Sequence, residues 1–278
     1  MVTTLRKSFS HILDTLKYSY VALMILWLIF PMILIVYASF QGTLDVKLIP
    51  DRFTFDTYRA ITPEYWKSFK LSLVLALFST IFSVGMAAPA AWAFKRGTLP
   101  GKKFLSIILM IPNIVPKIIL AIALLRLFIP LRLTNTNTGL LIALVGAYGL
   151  PLAYGYCEAI VEGIPESYEQ AAMVLGANYS VILRKIIIPL MGPGILVSTL
   201  FVFMRTLMTF LIVLFIAGPG ATTISVRLFQ DVVERGAQTE SIAMTSILIF
   251  ITILFYIVVN KFFGASALSG NVFDGKKG

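Results

Sequence analysis

Runs of apolar residues recur along this chain, each bounded by charge, glycine or proline, and each about the 20 residues that a helix needs to cross the hydrocarbon core of a bilayer. Six such runs predict six membrane helices, at residues 18–40, 71–94, 104–130, 139–160, 194–217 and 241–259. Ahead of the first run, Leu5, Phe9, Ile12, Leu13 and Leu16 recur at helical spacing with Arg6, Lys7 and Asp14 between them. A helix lying in the membrane interface carries that pattern, and so does one packed on a neighbouring subunit. The first apolar run is longer than a signal-peptide core and no small-residue cleavage site follows it, so an uncleaved first span is expected. The pattern divides the chain into an N-terminal cytoplasmic or interfacial helix (1–17), a first span (18–40), an external segment (41–70), a core of five spans (71–260) that includes a polar insertion at 162–193, and a tail (261–278).

Composition agrees with an all-α, multi-pass membrane protein. Of 278 residues 58% are hydrophobic and 13% charged, against roughly 45–50% and 25% in soluble domains. One cysteine, Cys157, excludes a disulfide scaffold, and one histidine, His11, excludes a multi-histidine metal site. The net charge of +10 is explained by membrane orientation rather than by nucleic acid, because the basic residues cluster in short segments between the apolar runs. Arg6, Lys7 and Lys17 precede the first span, and Lys95, Arg96, Lys102 and Lys103 follow the second with no acid among them. The positive-inside rule puts both segments in the cytoplasm. Residues 41–70 mix Asp45, Asp51, Asp56 and Glu64 with Lys47, Arg52, Arg59, Lys67 and Lys70, and fall outside by parity. Both chain ends are then cytoplasmic, in agreement with Lys276 and Lys277.

The insertion at 162–193 is too polar at its start to be membrane and too patterned to be a linker. Pro165, Glu166 and Glu169 suit a helix start, Ala171, Ala172, Val174 and Leu175 its body, and Gly176 its end. A second short helix is predicted from Tyr179 to Ile188, stopped by Pro189, with Arg184 and Lys185 in its last turns. Two short helices with a glycine elbow make a compact cytoplasmic projection, the shape of a docking element.

Within that segment Gln170, Ala171, Ala172, Gly176, Ile186 and Pro189 resemble the EAA loop of permease subunits of binding-protein-dependent type I ABC importers. Gln170 stands where that pattern has Glu, with Glu169 beside it, and Ile188 stands for Leu. The resemblance runs from about Phe53 to Val259 and is nearest in appearance to the spermidine/putrescine branch. It implies that the loop is a coupling helix docking on an ABC ATPase, with Ala171 and Ala172 permitting close approach and Gly176 turning the chain away. It also implies a dimer of ATPases, a second permease subunit (a homologue or this same chain) and an external solute-binding protein, in the inner membrane of a prokaryote. No cofactor is expected in this chain. No G-x-x-x-x-G-K-[ST] occurs, so ATP and magnesium would belong to the partner ATPase.

Two cations fall at membrane depth. Counted from the ends of their predicted spans, Lys117 and Arg205 both lie about 17 to 20 Å in at 1.5 Å per residue. A central Lys or Arg carries an insertion penalty of roughly 2.5–3.5 kcal/mol and needs protein or a wet cavity around it. Pro112, Asn113 and Pro116 precede Lys117 and predict a kinked or broken helix there, the kind of place where transporters bind solute. Arg205, Met208 and Thr209 share a helix face. Where polyamine permeases have acids in these two motifs, this chain has Lys117 in one and Met208 and Thr209 in the other, one turn after Arg205. That inversion points to an anionic or zwitterionic small solute bearing a carboxylate, phosphate or phosphonate; a true polyamine permease is the alternative within the class. A structural role for either cation stays open, through pairing with Glu158 or with an acid of another subunit, or through snorkelling by Lys117. From other classes, an ion-gradient-driven transporter would not need the projection, and an intramembrane enzyme would need a metal-binding His pair, paired Asp or a base near a Ser or Thr, all of which are missing.

Overall fold

A computed structural model describes residues 2–42, 52–218, 221–236 and 238–263, of which the side chains of 1–13, Thr15, Asn260, Phe262 and Phe263 are outside the description. The tail lysines Lys276 and Lys277, the charged residues Asp45, Lys47 and Asp51, and the apolar side chains of residues 5–13 therefore lie outside the described residues. Every element among the described residues is helical. Five helices are long and apolar enough to cross a membrane, and a bent pair makes a sixth if counted as one span.

The chain forms two compact units. The first contains α1 (Val2–Ser39), the short α2 (Asp56–Arg59) and the start of the last helix. From Leu16 to Ile33 most of the large apolar side chains of α1 are exposed, so this span has no packing partner of its own over that length. Its other end is pinned: Phe40, Phe55 and Tyr58 form an aromatic triangle with centroids 5.4 to 6.0 Å apart. Thr57 Oγ1 donates to the Ser39 carbonyl, and Tyr58 Oη lies 2.7 Å from Ser39 Oγ and donates to Ser246 Oγ at 3.2 Å. The first of these closes a carbonyl at the end of α1, and the other two run from that end through Tyr58 to the last helix.

The second unit holds α3 (Pro63–Arg96), α4 (Lys102–Ile114), α5 (Lys117–Phe128), α6 (Asn137–Leu144), α7 (Leu150–Gly163), α8 (Ser167–Val174), α9 (Tyr179–Ile182), α10 (Ile188–Leu207) and α11 (Leu211–Ile216). Next come α12 (Ile224–Arg235) and α13 (Thr239–Phe263), the latter part of α13 belonging to this unit. One core joins Val84, Ala87, Ala91, Tyr154, Cys157, Val161, Ile182 and Met191, on α3, α7, α9 and α10. Another joins Ala121, Phe128, Leu140, Leu144, Ile212 and Ile216, on α5, α6 and α11. Small residues set the approach of α3 to the α6–α7 span. A Cβ on Gly149 would overlap the hydroxyl of Ser83, whereas nothing lies within 4 Å of one on Gly146. Close backbone contact of this kind replaces the hydrophobic drive that lipid removes.

Four irregular points interrupt the spans among the described residues, the last of them between α10 and α11. Pro116 has no N–H and holds Val115 extended (φ −68°, ψ 133°), so α4 stops at Ile114 and α5 leaves at 108°. The break that the two prolines predict is thus present. A π-turn at Val145–Gly149 joins α6 to α7. A second, at Leu183–Ile187, joins α9 to α10 and corrects a sequence expectation: Pro189 does not end a helix. The helical path is continuous from Tyr179 to Leu207. In the widened turn Ile188 N–H bonds the carbonyl five residues back, on Leu183, which relieves the register in which a proline ring would strike the carbonyl at i−4. The fifth span therefore begins earlier than residue 194, and Arg205 falls in the last turn of α10.

The two glycines of the first π-turn test this packing. Gly149→Ala should lower stability in detergent by about 1–3 kcal/mol through overpacking against Ser83, and Gly146→Ala should leave it unchanged, as read by thermal unfolding of the purified protein.

Candidate functional site

Two constellations gather the residues singled out in the sequence, one beyond the spans and one inside them. Beyond the spans, α8 ends in a Schellman motif. Ala177 N–H bonds Ala172 O at 3.0 Å, Gly176 N–H bonds Met173 O at 2.9 Å, and Gly176 takes φ +80°, which glycine adopts without penalty. Asn178 then caps α9, accepting from Val181 N–H at 2.9 Å. The elbow expected at Gly176 is built by these bonds.

What holds the elbow in place is Arg96, at the end of α3. Its Nη1 bonds Glu166 at 2.8 Å, its Nε bonds Glu169 at 3.0 Å, and its Nη2 donates to the Ile164 carbonyl. Lys95, one residue earlier, pairs with Glu162 at 3.1 Å. The side chains of Arg96 and Glu169 are only 8% and 7% exposed, so their pair is a buried one. A planar guanidinium engaged on three sides fixes direction as well as distance. Trp92, one turn before Arg96, packs against Tyr179 with ring centroids 5.3 Å apart. The projection is therefore held rigidly to α3, through a residue that charge counting alone assigns to membrane orientation. The signal was available: Glu166 and Glu169, one helical turn apart, are acids that a single arginine can bridge.

The EAA-like residues divide between two faces. Glu169 and Ala172 are buried, Glu169 on Arg96 and Ala172 in the core with Val161, Ile164 and Ile182. The pair Ala171 and Ala172 does not form one outward surface; only Ala171 and Gln170 face out. Ile186 is half-buried in the second π-turn, and Pro189 is exposed at the start of α10. The outward tip is apolar: Met173 is exposed, and Val174 and Leu175 are each 87% exposed.

Inside the spans, Arg205, Met208 and Thr209 line one cavity of about 430 Å³ together with Tyr148, Phe201, Met204, Phe210 and Leu211. The α-helix breaks between Leu207 and Leu211, and Thr209 Oγ1 returns to the Arg205 carbonyl at 2.6 Å, capping the carbonyl that the break would orphan. Tyr148, from the first π-turn, is the residue the sequence reading missed. It lines the cavity beside Arg205 and Thr209, and its ring faces the Lys117 ammonium at 4.6 Å. Nothing in the hydrophobic pattern distinguishes it from other aromatics of its span.

The two cations differ in state. Lys117 donates to the carbonyls of Pro112 (2.5 Å) and Ala147 (3.3 Å) and lies over Tyr148, which occupies its ammonium on three sides. It closes backbone opened by the α4–α5 break and by the π-turn. Arg205 is exposed to the cavity, and its guanidinium makes no ion pair among the described residues. Glu158 pairs with neither, since Tyr154 and Ser106 donate to it instead. Asn113 is exposed on the last turn of α4 and is not among the residues lining the cavity.

Residues 70–267 match the family described as binding-protein-dependent transport system inner membrane component. The chain is 30% identical over 259 residues to the trehalose transport system permease protein SugB of Mycobacterium tuberculosis, covering 91% of this chain and 93% of that protein. It is 27% identical over 205 residues to the spermidine/putrescine transport system permease protein PotC of Escherichia coli, covering 74% and 76%. In fold it resembles a chain of a bacterial ABC transporter involved in import of the acidic polysaccharide alginate, with TM-score 0.73 at 22% identity over 91% of this chain and 97% of that one.

The Arg96 anchor yields a double-mutant test. Arg96→Met should destabilise the protein by about 3–5 kcal/mol because Glu169 is left buried and uncompensated. Pairing it with Glu169→Met should recover most of that loss, as read by thermal unfolding of all four forms.

Proposed function

The chain belongs to the binding-protein-dependent transport system inner membrane component family, as a non-enzymatic permease subunit of a type I ABC importer, and we propose that it couples to its ATPase through residues 164–189 and carries an anionic or zwitterionic small solute past Arg205. For coupling, the supporting observation is the exposed apolar tip Met173, Val174 and Leu175, set beyond the spans on a helix that Arg96 fixes to α3. Side chains of this size left 87% exposed outside the membrane call for a cover, and a groove on the ATPase supplies it. Movement of the docked helix is then delivered to α3 through the buried Arg96–Glu169 pair. In this reading Glu169 and Ala172 hold the helix while Gln170, Ala171 and the tip meet the partner. The projection and both chain ends lie in the cytoplasm, and a binding protein delivers solute on the opposite side to the path formed with a second permease subunit.

For cargo, the supporting observation is a guanidinium without a counter-ion facing a cavity that holds no carboxylate among its lining residues. Such a wall repels a polyamine and attracts a carboxylate, phosphate or phosphonate, which Arg can clamp bidentately. Lys117, saturated by carbonyls, adds field rather than contact. A second reading has its own observation: Tyr148, Phe201 and Phe210 offer aromatic faces to the same cavity, a surface on which a sugar ring stacks, and SugB is a trehalose permease by name.

Two outcomes test these assignments. Leu175→Asp should weaken copurification of the ATPase roughly thirtyfold, as for the loss of a buried interface anchor, with unfolding temperature unchanged because the side chain is free in the chain itself. Arg205→Gln should lower uptake of a solute bearing an anionic group about tenfold or more, the worth of a charge-assisted bond, with Arg205→Lys restoring part of it; normal uptake by the Gln variant removes Arg205 from the path, and a cargo without an anionic group overturns the cargo assignment.

A further inference from the structure

A second cavity of about 430 Å³ lies at the end of the spans nearest the projection, where α3, α4 and α7 meet, and neither coupling nor the solute path uses it. Three lysines line it, Lys95, Lys102 and Lys103, with two carboxylates, Glu158 and Glu162. The charges are sorted. Lys102 is anchored by the carbonyls of Gly97 (2.9 Å) and Lys95 (3.4 Å), and Lys103 is exposed with no partner among the described residues. About one helical turn further in, Glu158 Oε1 accepts from Tyr154 at 2.8 Å and Ser106 at 3.2 Å, while no bond among the described residues reaches its other oxygen.

The surroundings fix the kind of ligand. Phe94 and Ile107 also line the cavity, and Phe104, Leu105, Ile107 and Ile108 are exposed along α4. An apolar face of that extent on a membrane span belongs against acyl chains, and the cavity opens where that face gives way to lysines, at headgroup depth. A ligand there has an apolar tail along α4, an anionic centre for the lysines and, deeper, a hydrogen-bonding cation for Glu158. We propose that this cavity holds the headgroup of a phospholipid bearing a primary ammonium, its phosphate on Lys102 and Lys103 and its ammonium on Glu158. A quaternary ammonium has no N–H to donate to the carboxylate, and a headgroup without an amine leaves Glu158 facing the phosphate unrelieved. Because Lys95 of the same cavity pairs with Glu162 and adjoins Arg96, the bound headgroup stiffens the junction that holds the projection.

The test uses the full chain in its assembled transporter, purified in mild detergent and exchanged with equimolar phosphatidylethanolamine, phosphatidylcholine and phosphatidylglycerol before native mass spectrometry. Phosphatidylethanolamine should be retained about tenfold over phosphatidylcholine, the worth of one charge-assisted hydrogen bond. Glu158→Gln, which keeps a polar acceptor for Tyr154 and Ser106, should abolish that preference. Lys103→Gln, at an exposed side chain, should reduce retention of all three lipids. Equal retention of the ethanolamine and choline lipids, preference for the glycerol lipid, or a preference that survives Glu158→Gln overturns the proposal. Soluble phosphoethanolamine offered at the same concentration separates the sources: retention equal to that of the lipid assigns the cavity to a free solute instead.

Discussion

In hydrocarbon no water is available to a broken helix, so each backbone group that leaves the helical ladder needs a partner from within the protein. The irregular features inside the spans meet that demand locally. Lys117 closes the carbonyls at the α4–α5 break and at the first π-turn, Thr209 closes one at the end of α10, and Asn135 N–H bonds Ile216 O at 2.9 Å where the chain turns back after α5. The breaks also bring together residues that unbroken helices would keep apart: Tyr148 from a π-turn and Arg205 to Phe210 from a helix end line one cavity. The need to satisfy backbone and the creation of that cavity are the same event in this fold.

The same constraint sorts the two intramembrane cations. A charge within a span is tolerated when it does something that lowers its own penalty. Lys117 does so by serving the backbone, which leaves it little to give a solute. Arg205 has no such engagement among the described residues and faces the cavity. Two residues that look equivalent by composition and depth are thus distinct in their contacts, one held by carbonyls and a ring and the other facing a cavity.

At the end of α3 the logic passes from backbone to side chains. Arg96 and Glu169 form a buried pair, and separating its partners would be costly. The adjoining Lys95–Glu162 pair lies more exposed and contributes less by itself. Together they tie the projection to α3, whereas the apolar tip at Val174 and Leu175 is left exposed.

Apolar run length and charge placement by themselves determined six apolar segments, the break at Pro116 and the polar insertion, because bilayer thickness and proline stereochemistry act through local sequence. The EAA-like spacing, together with the Gly176 elbow, pointed to the family by the same kind of local rule. Tertiary structure alone decided how Pro189 is carried through a helix, because the π-turn that accommodates it is not visible in the residue pattern. It alone split Ala171 from Ala172 and turned Glu169 inward, because which side of a short helix is buried depends on where Arg96 stands, 73 residues away from Glu169 in sequence. And it alone separated Lys117 from Arg205, since the carbonyl of Ala147 and the ring of Tyr148 reach Lys117 across a fold that no spacing in the sequence encodes.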